Sequence, residues 1–267
     1  MVFFLNQLKQ KNETLFYFGL VCLIMALVFL LLTKISNVQV NQVNAWFKPF
    51  KFAFSTFLFA WAMAWYCSYL PQFNIKLFNW STIVLLGFEI VYIALQAGKG
   101  QLSHFNLSSP FYSMMYSMMA LAATLVTIYT AYVAFLFFKT DFPQLPAYYV
   151  WSIRLALVIF VIFSFEGFVM GSRLSHTIGG PDGGEGIPFF HWSTRFGDPR
   201  IAHFVGMHAL QVLPLLSYFI FRNTGATIAM SLLYLALAVF TLHQALKGKP
   251  LFKAKTPTAI DQRTGEK

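Results

Sequence analysis

The sequence predicts an all-α fold, a polytopic transmembrane helix bundle of seven spans, and three observations predict it. Charged residues make up only 10% of the 267 residues, where a soluble domain carries about 25%. The apolar residues fall in continuous runs such as LVCLIMALVFLLL, not in the alternating segments of roughly ten residues that build a membrane barrel. Most of these runs also have the roughly 17 to 25 residues that a helix needs to cross about 30 Å of hydrocarbon.

The spans are expected at 15–33, 52–70, 81–97, 112–138, 149–171, 201–221 and 226–246. The first is too long for the apolar core of a secretory leader, and TKISNVQVNQ after it has no small-x-small cleavage pattern, so a retained helix is expected. Before the second stands NAWFKPFKFAFS, where Trp46 can anchor at the interface and Pro49 shapes the helix entrance. Lys48 and Lys51, three apart and so on one face, either snorkel to lipid phosphate or act as anion contacts in a pocket. The third span is the weakest, because it carries Glu89 and Gln96. In the fourth, SMMYSMMALAAT offers small and flexible side chains for close helix packing. The fifth has Arg154 near one end, where it can snorkel, and Glu166 near the other. The sixth contains HFVGMHALQVLPLL, and the seventh ends near His243. The domain reading is one membrane domain over 1–246, a long Gly-rich loop at 172–200 within it, and a flexible basic tail at 247–267.

Charge sets the orientation. With a cytoplasmic C terminus, 13 of the 19 Lys and Arg fall inside and 6 outside, the bias expected for a multi-pass membrane protein with its N terminus outside. The basic excess does not point to nucleic acid, because the aromatics sit in apolar spans instead of on a basic surface. Membrane lipid is the expected partner of Lys247, Lys249, Lys253 and Lys255. Cys22 and Cys67 lie within apolar runs without paired spacing, so a thiolate metal site is not expected.

Parity then places the loops after spans one, three and five, and the C terminus, on one side. All six histidines belong there: His104, His176, His191, His203, His208 and His243. Glu89 lies mid-span and Glu166 nearer that side; both must face the bundle, because a lipid-exposed carboxylate is expensive. Glu89, Glu166 and His208 are the candidate catalytic groups, set against the plainer role of a satisfied structural polar group. His208 and Gln211 share a helix face, whereas His203 is about 140° away around the axis, so the two histidines cannot form an adjacent-turn metal pair. A metal site would instead draw His104, His176, His203 and His208 together with Glu166, and a b-type haem would use His208 with His243.

The loop GSRLSHTIGGPDGGEGIPFFHWSTRFGDPRIAHF is elaborate for a connector. Asp182, Glu185 and Asp198 can bind a cation, and Arg173, Arg195 and Arg200 can hold a carboxylate or phosphate; Asp198 before Pro199 also suits a helix cap. GGPDGG lacks the GKS or GKT ending and the strand of a phosphate loop, which argues against nucleotide hydrolysis. Gln96, Asn106, Asp182, Arg195 and Gln211 are the expected substrate contacts.

The segments WFKPFKFAFS, QAGKGQLSHFN and GGPDGGEGIPFFHWSTRFGDPRIAHFVGMHALQVLPL resemble those of a family of uncharacterised bacterial multi-span membrane proteins, over approximately 45–245. The resemblance implies a bacterial membrane origin and no particular activity or cofactor. The leading functional expectation is a membrane-embedded enzyme, in one form a metal- or haem-dependent oxidoreductase, acting on a small or lipid-soluble ligand at the cytoplasmic interface. The alternatives are a proton-coupled transporter or ligand-responsive receptor, and a structural protein whose long loop contacts a protein partner.

Overall fold

The structure, a computed structural model, describes residues 2–184 and 186–253. Glu185 and most of the basic tail, 254–267, lie outside the described residues. The chain is nearly all helical: α1 (Val2–Lys11), α2 (Glu13–Ile35), α3 (Phe47–Cys67), α4 (Ile75–Gly98), α5 (Pro110–Lys139), α6 (Ala147–Arg173), α7 (Arg200–Met207), α8 (Ala209–Leu216) and α9 (Thr224–Leu246). A small antiparallel hairpin, β1 (Gln39–Val40) with β2 (Val43–Asn44), separates α2 from α3.

Among the described residues, α2, α4, α5, α6 and α9 are long and apolar enough to cross a membrane. A sixth span exists if α7 and the segment Ala209–Phe221, which meet at a 45° bend, are counted as one. Seven is therefore not reached on length and composition. The helix that falls short is α3, whose 21 residues include two lysines, a proline and several Trp, Tyr, Ser and Thr among the aliphatics. Large apolar side chains stand outward on the long helices, with Leu31 on α2, Leu121 on α5 and Leu233 on α9 all more than half exposed. Such a continuous apolar surface has lipid, not water, as its natural solvent.

Local chemistry sets the helix ends. Asn74, Ser109 and Asn223 each accept a hydrogen bond from a backbone N–H in the first turn of α4, α5 and α9, and Pro110 follows Ser109 at the position where its missing N–H costs nothing. Asn12 caps α2 in the same way and also exchanges two hydrogen bonds with buried Asn79, at 3.0 and 2.8 Å, which ties the α1–α2 break to α4. Arg154 does more than snorkel: its guanidinium donates to the Phe137 and Thr140 carbonyls, two acceptors left open at the end of α5.

Helix α6 is central and packs against α5, α7, α8 and α9. Its Ile153, Leu157 and Phe163 are buried, and Phe160 stacks on Phe59 of α3. The sixth expected span is broken at His208, between α7 and α8, and finishes in a π turn at Ser217–Phe221. Two tyrosines satisfy carbonyls around the break. Pro214 has no N–H to give the Leu210 carbonyl, and the Tyr66 hydroxyl donates there instead, at 2.5 Å. Tyr234 of α9 donates to the Val205 carbonyl at 2.6 Å.

Helix α7 approaches α6 through Gly206. A Cβ at that position would overlap Cβ and Cγ of Phe163, atoms too close to the α6 backbone to swing aside. Gly206→Ala should therefore push α7 from α6, costing about 1–3 kcal/mol and lowering Tm in detergent. At Gly87 a Cβ meets nothing within 4 Å, so Gly87→Ala should leave Tm unchanged or raised.

Candidate functional site

A cavity of about 500 Å³ lies between α3, α4, α5, α6 and α7 and under the α4–α5 and α6–α7 loops. That is the size of a small-molecule site. Its inner wall is apolar, with Phe52, Phe59, Ile93, Met119 and Phe160. Its polar end carries five of the six histidines, His104, His176, His191, His203 and His208, together with Asp182, Lys48, Lys51 and Arg200. The shared side inferred from parity is thus a shared wall. His243, on α9, is the histidine that does not line it.

The histidines are held alike. The Nδ1–H of His203 donates to the Phe163 carbonyl at 2.7 Å, and that of His191 to the Phe189 carbonyl at 3.1 Å. Nδ1 of His208 lies 3.2 Å from Gln211 Oε1, Nδ1 of His104 lies 3.2 Å from Ser103 Oγ, and Nδ1 of His176 lies 2.7 Å from Asp182 Oδ2. A carbonyl or carboxylate acceptor at Nδ1, as on His176, His191, His203 and His208, fixes the tautomer and leaves Nε2 with its lone pair, ready to accept a proton or bind an electrophile, whereas the Ser103 hydroxyl beside His104 can donate or accept. On His208 that nitrogen lies 3.5 Å from Ser55 Oγ.

Asp182 organises the loop around His176. Its carboxylate accepts from Ser175 Oγ at 2.7 Å, from the backbone N–H groups of His176 and Thr177, from Thr177 Oγ1 at 2.9 Å and from the His176 ring. Burial opposes a charge on Asp182, yet the hydrogen bonds from the ring and backbone of His176 and from Ser175 hold its carboxyl well below the usual range. Burial pushes the His176 imidazole down to about 4, aided by the charges of Lys48 and Arg200, in spite of the Asp182 bond. His104 is likewise driven well below its ordinary value, by burial first and then by Lys48, His176 and His203. Phe105, at a left-handed φ of 61°, turns the α4–α5 loop so that its ring lies 4.7 Å from that of His176.

The two membrane carboxyls part company. Glu89 of α4 is 5% exposed, lines the cavity, and its Oε1 has no hydrogen-bond partner; Ser164 Oγ of α6 shares both features. Glu166 lies behind the wall. Its Oε2 is 3.4 Å from His203 Nδ1, but that proton goes to the nearer Phe163 carbonyl, and neither Glu166 oxygen receives a hydrogen bond.

Of the expected substrate contacts, Asp182 and Gln211 reach the cavity and Gln96, Asn106 and Arg195 do not line it. Gln96 donates to the Leu102 carbonyl just past the end of α4, and Asn106 bonds Leu102 and Ser108 to fold its own loop. The expected metal set is not assembled: among the described residues no three His, Cys, Asp or Glu side chains form a group able to hold an ion. His104, His176, His203 and His208 are spread around one space because each is tethered separately at Nδ1. Asp198 stands one residue before the cap position of α7, Pro199, and its Oδ1 accepts the backbone N–H of Arg200 at 3.2 Å, as a capping side chain does. Its buried carboxylate binds the Arg200 guanidinium and the Ser193 N–H, which closes the loop onto α7. Sequence reasoning missed Ser55, Ser164 and Phe105, whose residue types carry no signal of their own, and the pairing of His176 with Asp182.

Comparison of the chain with protein-family models, curated proteins and solved structures gives no match in any of the three.

The His176 value gives a pH test. It lies below the unfolded value of about 6.5, so the folded protein resists protonation there. The stability from this group is complete above pH 6.5 and is lost as pH falls through 4. Nitrogen NMR of histidine-labelled protein should show His176 as the neutral Nδ1–H form at pH 5.5, and Asp182→Asn should change its Nδ1 resonance. An imidazolium signal for His176 at pH 5.5 would contradict this.

Proposed function

We propose that the protein is a membrane-embedded enzyme that acts on a lipid-soluble substrate at the cytoplasmic interface. His176 is the proton acceptor and Asp182 the group that orients it. The observation that carries this reading is the 2.7 Å bond from the His176 ring to a carboxylate already fixed by four other donors, on the wall of a cavity. A carboxylate behind Nδ1 presents Nε2 as a general base and stabilises the imidazolium that forms. His208 is the second candidate, backed by Gln211. In this reading α3 completes seven spans in a bacterial inner membrane, with the N terminus outside, the C terminus cytoplasmic and the basic tail against anionic lipid.

The test uses purified protein in nanodiscs with a bacterial membrane-lipid extract, followed by mass spectrometry. Wild-type protein should consume a lipid-soluble species, and His176→Gln should slow that turnover by roughly 10²–10⁴-fold while the fold is retained. Turnover by His176→Gln at the wild-type rate, or none by wild-type protein, would count against the proposal.

A metal- or haem-dependent form would use imidazoles held at Nδ1, as metal-bound histidines commonly are, but would need them to converge, and among the described residues they do not. Metal analysis and an optical spectrum after gentle purification decide it; absence of both metal and haem would remove it. A proton-coupled carrier is the second reading, favoured by the unpartnered Glu89 deep in the cavity. Uptake into proteoliposomes that depends on a pH gradient would establish it in place of the enzyme.

A further inference from the structure

The polar end of the cavity has more cation than its own carboxylates answer. Arg200 is matched by Asp198, with Nε donating to Oδ1 at 2.8 Å. Lys51, at the start of the second turn of α3, donates to the Phe190 carbonyl at 3.0 Å, a neutral acceptor. Lys48, one turn earlier, lines the cavity and has neither a hydrogen bond nor an ion pair among the described residues. It lies within the fields of Lys51, Arg200 and Asp182. Asp182 makes no hydrogen bond to it, because that carboxylate is already occupied by Ser175, His176 and Thr177, although its negative charge still acts on Lys48. Two carboxylates thus face three basic side chains, Lys48, Lys51 and Arg200, in a space partly shielded from water, where like charges repel more strongly than in solvent. Both lysines also sit at the N-terminal end of α3, where unpaired backbone N–H groups add positive potential.

Beyond this end the character of the cavity changes. Phe52 and Phe59 of α3, Ile93 of α4, Met119 of α5 and Phe160 of α6 form a wall without charge, and Glu89 lies deeper along α4. Glu89 is nine residues before the last residue of α4, about 13 Å along a helix of 1.5 Å rise. A cation-rich mouth that opens onto an apolar channel is complementary to a molecule with a negative head and a hydrocarbon body.

We propose that the cavity binds an anionic amphiphile, whose carboxylate or phosphate head is held by Lys48 and Lys51 and whose apolar body lies between α3, α4 and α6. The proposal deepens the enzyme reading by naming the substrate class, and it is tested by binding, which needs no turnover. It also links the two. A head group at Lys48 sets a negative charge against the cations that depress His176, so a bound ligand makes that imidazole more basic when a proton acceptor is needed.

Purified protein in a neutral maltoside detergent is titrated with oleic acid, oleoyl lysophosphatidic acid, oleyl alcohol and inorganic phosphate, with the fluorescence of Trp192, on the cavity wall, as one source of signal. At least one of the two anionic amphiphiles should bind about tenfold or more tighter than the alcohol, in line with charge-assisted contacts. The preferred one identifies the head as carboxylate or phosphate monoester. Inorganic phosphate should bind far more weakly, and raised salt should weaken the amphiphile without affecting the alcohol. Lys48→Gln with Lys51→Gln should remove the tenfold preference, whereas Lys48→Arg should keep it; an unchanged gel-filtration profile and Tm confirm that both variants are folded. If the double variant does not fold, histidine NMR of wild-type protein gives the answer, since the ligand should raise the His176 titration from about 4. Equal binding of alcohol and acids, full affinity of the folded double variant, phosphate alone binding as well as the amphiphile, or a His176 titration unmoved by saturating ligand would each overturn the proposal. Anion-selective binding without turnover would leave the subsite standing and remove the enzyme reading; turnover of neutral lipid without anion preference would do the reverse.

Discussion

The cavity depends on two carboxylates that close a loop over it. Asp182 gathers the chain from Ser175 to Thr177, and Asp198 gathers Ser193 and Arg200. Between them the loop pairs with itself at Ile178 with Gly197 and at Gly186 with Ser193. It also has to lie close on its neighbours, and glycine permits this. A side chain at Gly183, where φ is 94°, would come within 2.5 Å of the Asn41 carbonyl in the hairpin, and one at Gly197 would overlap the Ala245 carbonyl at the end of α9. A loop of this length would ordinarily sample many conformations. Here ionic hydrogen bonds and backbone contact define it, so the histidines it carries have fixed positions against the helix ends.

The broken span supplies the other wall. In a continuous helix, His208 would be one more residue on a face of the bundle. The break puts it between α7 and α8, with its ring 4.3 Å from Phe204 and its Nδ1 toward Gln211. Carbonyls freed in an apolar interior must find donors, and Tyr66 and Tyr234 provide them from two other helices. The same hydrogen bonds therefore make the irregular helix tolerable and lock α3 and α9 to it, which keeps Lys48 and His208 in register across the cavity.

How much of this was legible follows from what kind of signal each feature leaves. Long apolar runs mark the helices, and parity alone brought the histidines to one side, because both rest on composition and length. The break at His208 leaves only Pro214 as a trace, and a proline inside an apolar run is equally compatible with a kinked continuous span. The hairpin at 39–44 turns on Asn41 and Gln42 with positive φ, in a stretch whose VQVNQVN pattern reads as linker. The His176 and Asp182 pair is six residues apart across GGP, a separation that says nothing until the loop is folded. Gln96 and Asn106 show the converse. Their polarity and depth suggested ligand contact, but a helix end and a tight loop in an apolar setting need polar side chains for their own carbonyls, and that need claimed them first.

Scarcity of charge makes the remaining polar groups informative. With only 9 Asp and Glu in the chain, each buried cation has few possible partners, and most groups near the cavity are individually matched: Arg200 by Asp198, His176 by Asp182, His203 by a carbonyl. Groups without a match stand out against that background. Lys48, Glu89 and Ser164 line the cavity, and Glu166 lies against a histidine that does. Unanswered polar atoms destabilise a folded protein by about 1–3 kcal/mol each. Unpartnered polar atoms also occur away from the cavity, at Trp46 and Tyr92, but a lysine at the mouth and a carboxyl in the depth of one space are what a site completed by a ligand would show. A cavity that was merely a packing defect would be lined by hydrocarbon throughout.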